Sequence, residues 1–139
     1  MPISFTPEMK ELINNALANK TPCVVATASK QGEPTATYKG SVMVFDDQRL
    51  AWWERAKKNV YRNVLENPRV MVVFADFTKH AAWKIQGKAR VHESGALREE
   101  VMKRTVPQEL NYDPERKGVA VVVDVERITD FMGTTIQSK

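Results

Sequence analysis

Apolar residues in this chain recur at every second position or run without interruption over short segments. The first pattern is typical of β-strands with one buried face, and the second of strands buried on both faces. Turn residues such as Gly, Pro and Asp separate the segments. The predicted strands span residues 21–29, 35–45, 50–55, 69–77, 81–93 and 119–133.

The strand at 81–93 shows the alternation most clearly. Its apolar face carries Trp83 and Ile85, and its polar face carries Lys84 and Lys88. Because successive side chains of a strand point to opposite faces, one face is expected in the core and the other in solvent.

Three helices are predicted around these strands. The first begins at Thr6, a residue suited to the N-cap, and has Pro7 at its first position. The second spans residues 58–67 and ends before Pro68, since the residue preceding a proline disfavours the helical conformation. The third begins near residue 94.

Six strands joined mainly by tight turns predict a largely antiparallel sheet closed into a barrel, with the helices flanking it. No linker, repeat or low-complexity segment divides the sequence. We therefore expect residues 1–139 to form a single domain of the α+β class, mainly β.

Composition narrows the setting. Cys23 is the only cysteine, so an internal disulfide is excluded. The sequence shows no apolar leader and no apolar run of membrane-spanning length. We therefore expect a cytoplasmic protein without a membrane partner. The formal net charge of +4 fits a phosphate-bearing ligand or a nucleic acid. Neither His80 nor His92 sits with Cys or carboxylate residues at the spacing of metal ligands, so no metal site is expected.

A polar row lies on the second predicted strand. Thr37, Lys39 and Ser41 are two residues apart and share a face. They offer one cation and two hydroxyl groups, which are donors that an anion needs. Gly40 beside them is compatible with close approach of a ligand or of backbone. The alternative is an ordinary solvated face.

The turn after the third strand is unusually basic. Arg55, Lys57 and Lys58 precede or open the second helix, where the helix dipole disfavours cations by about 0.3–1 kcal/mol each. A phosphate bound at the helix start would remove this conflict, and Asn59 could cap the helix or donate to the same phosphate. The alternative is that these side chains simply extend into water.

Trp52 and Trp53 immediately precede this turn. In a regular strand the two rings point to opposite faces. An indole beside a phosphate site suits a flat aromatic ligand, whereas the alternative places both rings in the core or in a subunit interface.

These features together resemble the FMN-binding split β-barrel proteins of the pyridoxamine 5′-phosphate oxidase-like superfamily. The resemblance is carried by "CVVATASKQGEPTATYKGSVMVFDDQRLAWWERAKKNVYRNVLENPRVMVVFAD" and "AAWKIQGKARVHE", within residues 21–93. In such proteins a hairpin has G-x-P near its turn, a strand ends in a basic phosphate-binding turn, and the following helix ends in a motif like Asn-Pro-Arg-Val.

The resemblance implies a six-stranded antiparallel split β-barrel that forms a homodimer with FMN at the subunit interface. It also implies an oxidoreductase that exchanges electrons with a small-molecule donor or acceptor, or an electron carrier. Carried over by position, the cofactor-binding residues would be Lys39 and Ser41 on the second strand, Trp52, Trp53 and Glu54 beside the flavin ring, and Arg55, Lys57, Lys58 and Asn59 at the phosphate.

The chain departs from the oxidase that gives the superfamily its name, because no histidine follows His92 and no C-terminal substrate clamp is evident. The substrate therefore stays open, as does the choice among FMN, the deazaflavin F420 and haem. No residue is assigned as catalytic. Two alternatives of other classes are a barrel that binds single-stranded nucleic acid through Lys84, Lys88, Arg90 and an exposed Trp, and a dimeric interaction protein without cofactor.

Overall fold

The computed structural model describes residues 1–139. It contains eight strands, four α-helices and a 3₁₀ turn at Phe77–Lys79. The strands are β1 (Cys23–Ala28), β2 (Pro34–Lys39), β3 (Met43–Val44), β4 (Arg49–Glu54), β5 (Arg69–Asp76), β6 (Ala81–His92), β7 (Val119–Thr129) and β8 (Thr135–Ser138). The helices are α1 (Pro7–Asn14), α2 (Asn59–Glu66), α3 (Ala96–Arg104) and α4 (Pro107–Leu110).

All the strands belong to one antiparallel sheet with the order β2-β1-β5-β6-β7-β4-β3, and β8 pairs with β7. β1 and β2 form the hairpin that the family resemblance implies, with Cys23 opposite Lys39 and Ala28 opposite Pro34. β5, the nearly continuous apolar segment, lies between β1 and β6 as expected for an interior strand. The α+β split-barrel prediction is therefore confirmed.

The predicted number of six strands is wrong, because two predicted strands are each divided. The segment 35–45 breaks at Gly40 and Ser41 into β2 and β3. The segment 119–133 ends at Thr129 and turns back as β8. The second break is closed by Asp130, whose carboxylate accepts hydrogen bonds from the backbone N–H groups of Met132 and Thr134. Apolar patterning continued through both breaks, so it did not reveal them.

The main core lies inside the curled sheet, where the largest fully buried side chains include Trp52, Phe74 and Ile85. α1 and α2 contribute apolar side chains to this core. A second, smaller core forms on the opposite face of β4 and β7, where α3 covers Trp53 with Val101. β4 is consequently buried on both faces.

α1 begins with a side-chain cap, whereas α2, which follows the basic turn, does not. Thr6 caps α1 as predicted, its hydroxyl oxygen accepting from the N–H of Met9 at 3.1 Å. α2 has no side-chain cap and no acidic residue in its first turn.

No helix in the fold is long and apolar enough to cross a membrane.

Candidate functional site

The polar row and the basic turn meet at the end of β4. β4 pairs with the short β3 on one side and, along its full length, with β7 on the other, so it makes no backbone pairing with β2. Side chains make the remaining connection. Lys39 reaches Glu54 at 2.9 Å, and Ser41 bonds to the backbone of Trp53.

The Ser41 hydroxyl replaces the missing strand pairing at the break between β2 and β3. It donates to the carbonyl oxygen of Trp53 at 3.2 Å and accepts from the N–H of Trp53 at 3.0 Å. The residue is buried. Its hydroxyl proton therefore already stabilises the connection between β3 and β4, and a cofactor would have to compete for it.

Glu54 is the most buried charged residue of the site, with 1% of its side chain exposed. Its carboxylate accepts from Lys39 Nζ at 2.9 Å, from the Trp52 indole Nε1 at 3.0 Å and from the backbone N–H of Lys57 at 3.3 Å. Buried charges are tolerated when they are paired and hydrogen-bonded. The carboxylate thus links β2, β4 and the basic turn.

The basic turn presents two unpaired ammonium groups. Lys57 and Lys58 are exposed, and neither side chain makes a hydrogen bond or an ion pair. Lys57 has φ of 51°, in the left-handed region that a non-glycine residue rarely adopts. Asn59 is the first residue of α2 and not its cap, and its side-chain oxygen accepts from Arg62 at 2.7 Å.

Arg55 differs from the two lysines because a distant segment engages it. Its guanidinium lies 4.7 Å from the centre of the Tyr112 ring and 3.8 Å from the Glu109 carboxylate. Glu109 also packs against Gly40, where an added Cβ would lie 2.7 Å from its Oε2. A cleft of about 350 Å³ opens here, lined in part by Thr37, Lys39 and Arg55. The close approach expected at Gly40 is thus made by a side chain of α4.

The two tryptophans are buried on opposite faces of β4. Trp52 lies in the main core, and Trp53 lies under α3 with its indole Nε1 donating to Asp113 at 3.0 Å. The Arg98 guanidinium stacks 4.9 Å from the Trp53 ring. The rings do point to opposite faces, but neither is left free to stack on a ligand within this chain.

Asp113 fixes the segment that covers Trp53. Burial alone would raise the pKa of its carboxyl, but hydrogen bonds from the N–H groups of Lys117 and Gly118 and from Trp53 outweigh burial, so the pKa lies below its ordinary value. The sequence analysis missed Glu109, Tyr112 and Asp113, because they lie in an irregular stretch without periodicity. The charged and aromatic residues of that stretch were the only feature of the sequence that could have indicated its role in the site.

The basic face considered for nucleic acid keeps its charges but has no exposed tryptophan beside it. Lys88 and Arg90 are exposed, and Lys88 lies 3.9 Å from the Glu126 carboxylate. All three tryptophans are buried, with 8% exposure or less. The exposed indole that this alternative required is therefore not present.

The antiparallel split barrel and the basic turn before α2 agree with the family resemblance seen in the sequence. A family model described as pyridoxamine 5′-phosphate oxidase matches residues 5–131. The chain therefore belongs to the pyridoxamine 5′-phosphate oxidase-like split-barrel superfamily. No curated protein is a significant match to it.

Solved structures agree with this assignment. HupZ from Group A Streptococcus is 25% identical, with a TM-score of 0.74 over 94% of this chain and 97% of that one. A putative pyridoxamine 5′-phosphate oxidase from Lactobacillus delbrueckii is 25% identical, with a TM-score of 0.71 over 91% and 93%.

Two more distant structures share the fold alone. One is an FMN-binding protein from Syntrophomonas wolfei, 17% identical, with a TM-score of 0.61 over 89% of this chain and 86% of that one. The other is HutZ, the heme storage protein from Vibrio cholerae, also 17% identical, with a TM-score of 0.68 over 94% and 95%.

Proposed function

We propose that this protein is an FMN-binding flavoprotein of the oxidoreductase type, acting as a homodimer with the flavin at the subunit interface. The observation that carries the proposal is the basic turn, where Lys57 and Lys58 present free ammonium groups at the uncapped start of α2. Family membership and the FMN-binding neighbour support the choice of cofactor.

The turn fits a phosphate ester on chemical grounds. The first N–H groups of a helix lack intrahelical partners, and here no side chain caps them. A doubly charged phosphate would accept from these groups and from the Lys57 and Lys58 ammonium groups together. Its own negative charge would interact favourably with the helix dipole and so offset the unfavourable interaction of the two cations with that dipole.

The other assignments follow from this anchor. Asn59 would lie beside the phosphate, and β4 with Trp52, Trp53 and Glu54 would run beside the flavin ring. FMN would supply the hydride and electron transfer, while the protein positions it. Arg55, engaged by Glu109 and Tyr112, would contribute positive charge near the phosphate more than a direct contact.

The homodimer is supported by an apolar sheet surface. Val24 and Ala26 of β1 pair with Val73 and Met71 of β5, and all four side chains lie partly exposed on the outer face. Tyr38 of β2, opposite Val24, is 71% exposed. A contiguous exposed apolar surface of this kind is characteristic of an interface.

The cofactor proposal is tested on the purified full-length protein. We expect absorption maxima of bound flavin, release of FMN on denaturation, and quenching of FMN fluorescence on addition to the apoprotein. The double substitution Lys57→Gln/Lys58→Gln should weaken FMN binding by about a hundredfold or more, since it removes two charge-assisted contacts worth about 1.5–3 kcal/mol each.

The matched control is Lys103→Gln/Lys139→Gln, which removes the same charge from exposed lysines outside the basic turn. It should leave FMN affinity within about twofold, because these ammonium groups are not part of the proposed phosphate contact and exposed charges are screened by salt. Equal loss in both variants would contradict a phosphate site at the turn. A Soret band in place of the flavin spectrum would show that haem is the ligand. NADH or NADPH oxidation by the flavin-loaded protein would distinguish an enzyme from an electron carrier.

A further inference from the structure

We propose that Lys39 and Glu54 act as a buried ion pair that positions the basic turn, and that Lys39 is not itself a ligand of the phosphate. This inference rests on the proposed FMN site. It assigns both residues a role different from the one that family position suggests, in which each approaches the cofactor directly.

Lys39 already has an ion-pair partner in Glu54. Its Nζ lies 2.9 Å from Glu54 Oε2, and only 15% of its side chain is exposed. Glu54 is buried and no second cation contacts its carboxylate. If Lys39 turned to a phosphate, the Glu54 charge would be left buried without a counter-ion, which is strongly unfavourable.

The Glu54 carboxylate also connects this ion pair to the basic turn. The oxygen that accepts from Lys39 is the one that accepts from the backbone N–H of Lys57 at 3.3 Å. Lys57 is the residue in the left-handed conformation, which for a side chain other than glycine must be held by its surroundings. The Glu54 carboxylate provides that restraint immediately before α2 begins.

The Glu54 carboxylate is itself held rigidly. The other oxygen of Glu54 accepts from the Trp52 indole, whose ring is fully buried in the main core. The carboxylate is therefore held at one oxygen by Trp52 and at the other by Lys39. A turn held in this way can present Lys57 and Lys58 to an anion with less loss of conformational entropy on binding.

A double-mutant cycle tests the inference. The variants are Lys39→Gln, Glu54→Gln and the pair together, and FMN affinity is measured by fluorescence quenching. Each single variant should bind FMN about tenfold more weakly, a loss of about 1.4 kcal/mol, because one charge is left buried and the turn loosens. The double variant keeps the net charge of the wild type and leaves no buried charge unpaired. The side-chain oxygen of the glutamine at position 54 can accept from the amide of the glutamine at position 39 and from the Lys57 N–H, which rebuilds the link to the turn, while the Trp52 indole loses its acceptor. The double variant should therefore recover to within about threefold of wild type.

Two outcomes would overturn the inference. If the double variant binds FMN as weakly as Lys39→Gln, Lys39 contacts the phosphate itself. If neither single variant changes FMN affinity although Lys57→Gln/Lys58→Gln does, Glu54 does not position the turn.

A cofactor-independent measurement separates failure of this inference from failure of the proposed function. Amide hydrogen exchange at Lys57, followed by NMR, reports the hydrogen bond to Glu54 directly. We expect faster exchange in Glu54→Gln and recovery in the double variant, with the amide of Val25 in the core as the control. Unchanged exchange at Lys57 would refute the restraint even in a protein that never binds FMN.

Discussion

Gly87 in β6 gives the sharpest test of the packing described here. The pairing of β6 with β7 shifts register between Gln86 and Gly87, and the backbone of β7 passes very close to Gly87. A Cβ added at this position would clash with the Asp124 carbonyl oxygen and lie 3.0 Å from its carbonyl carbon. The optimal separation of such atoms is about 3.5–4.0 Å, so β6 and β7 would have to move apart.

The expected cost of Gly87→Ala follows from what must yield. The obstructing atoms belong to backbone in the middle of the sheet, with Val123 Cγ1 a further 2.8 Å contact. Overpacking of this kind costs about 1–3 kcal/mol, and we expect the upper end because no flexible side chain can relieve the main clash. For a chain of this size, 3 kcal/mol corresponds to a fall in Tm of roughly 10 °C.

Gly40→Ala is the matched control. Its added Cβ would also be too close to a neighbour, at 2.7 Å, but that neighbour is Oε2 at the end of the Glu109 side chain, which can rotate away. Neither glycine has a positive φ, so backbone conformation does not separate the two variants. Replacing Gly by Ala also restricts the unfolded chain, a gain of about 0.4–1 kcal/mol, so Gly40→Ala should stay within about 1 kcal/mol of wild type.

The assay is urea unfolding followed by fluorescence of the buried tryptophans, supported by thermal melting. We expect Gly87→Ala to lower the urea midpoint strongly and Gly40→Ala to leave it almost unchanged. Equal stability of the two variants, or a Gly87→Ala protein as stable as wild type, would refute the close approach of β6 and β7 at this point.

Three further predictions rest on other parts of the structure. Burial raises the pKa of the Cys23 thiol to about 12, so this thiol should react with a disulfide reagent such as DTNB only after denaturation. Rapid reaction of Cys23 in the folded protein would contradict its place in the core. Asp113 has a folded-state pKa below its ordinary 3.8, so its ionised form stabilises the fold above about pH 4, and this contribution is lost as the pH falls through the lowered value. The urea midpoints of wild type and Asp113→Asn should therefore differ most at neutral pH and converge in acid; a constant gap would refute the linkage. Met71→Lys on the outer sheet face should convert the proposed dimer into monomers in analytical ultracentrifugation, whereas the same change at exposed Gln31 should not.

Several features of the fold follow from local sequence alone. The period-two pattern of β6 assigned Trp83 and Ile85 to the core, and both are buried. Thr6 and Pro7 determined where α1 begins, and Pro68 where α2 must end. These succeeded because they depend on neighbouring residues only: alternation, capping and the restricted backbone of proline are local effects.

The candidate site could be predicted only in part from local sequence. The basic turn was visible because cations at a helix start break a local rule. The partners were not visible, since Lys39 meets Glu54 across 15 positions of the chain and Trp53 meets Asp113 across 60. A sequence pattern shows that a residue is charged or aromatic, but it does not show which distant group will satisfy it.

The sequence by itself thus determined the antiparallel barrel, its main strands and the location of its positive charge. Tertiary structure decided that eight strands form instead of six, that both tryptophans of β4 are buried, and that Glu54 holds Lys39 while Lys57 and Lys58 stay free. The physical reason is that strand faces are set by the alternation of the backbone. The choice of ion-pair and hydrogen-bond partners is set by long-range packing, where each buried polar group must find the partner that the whole fold brings to it.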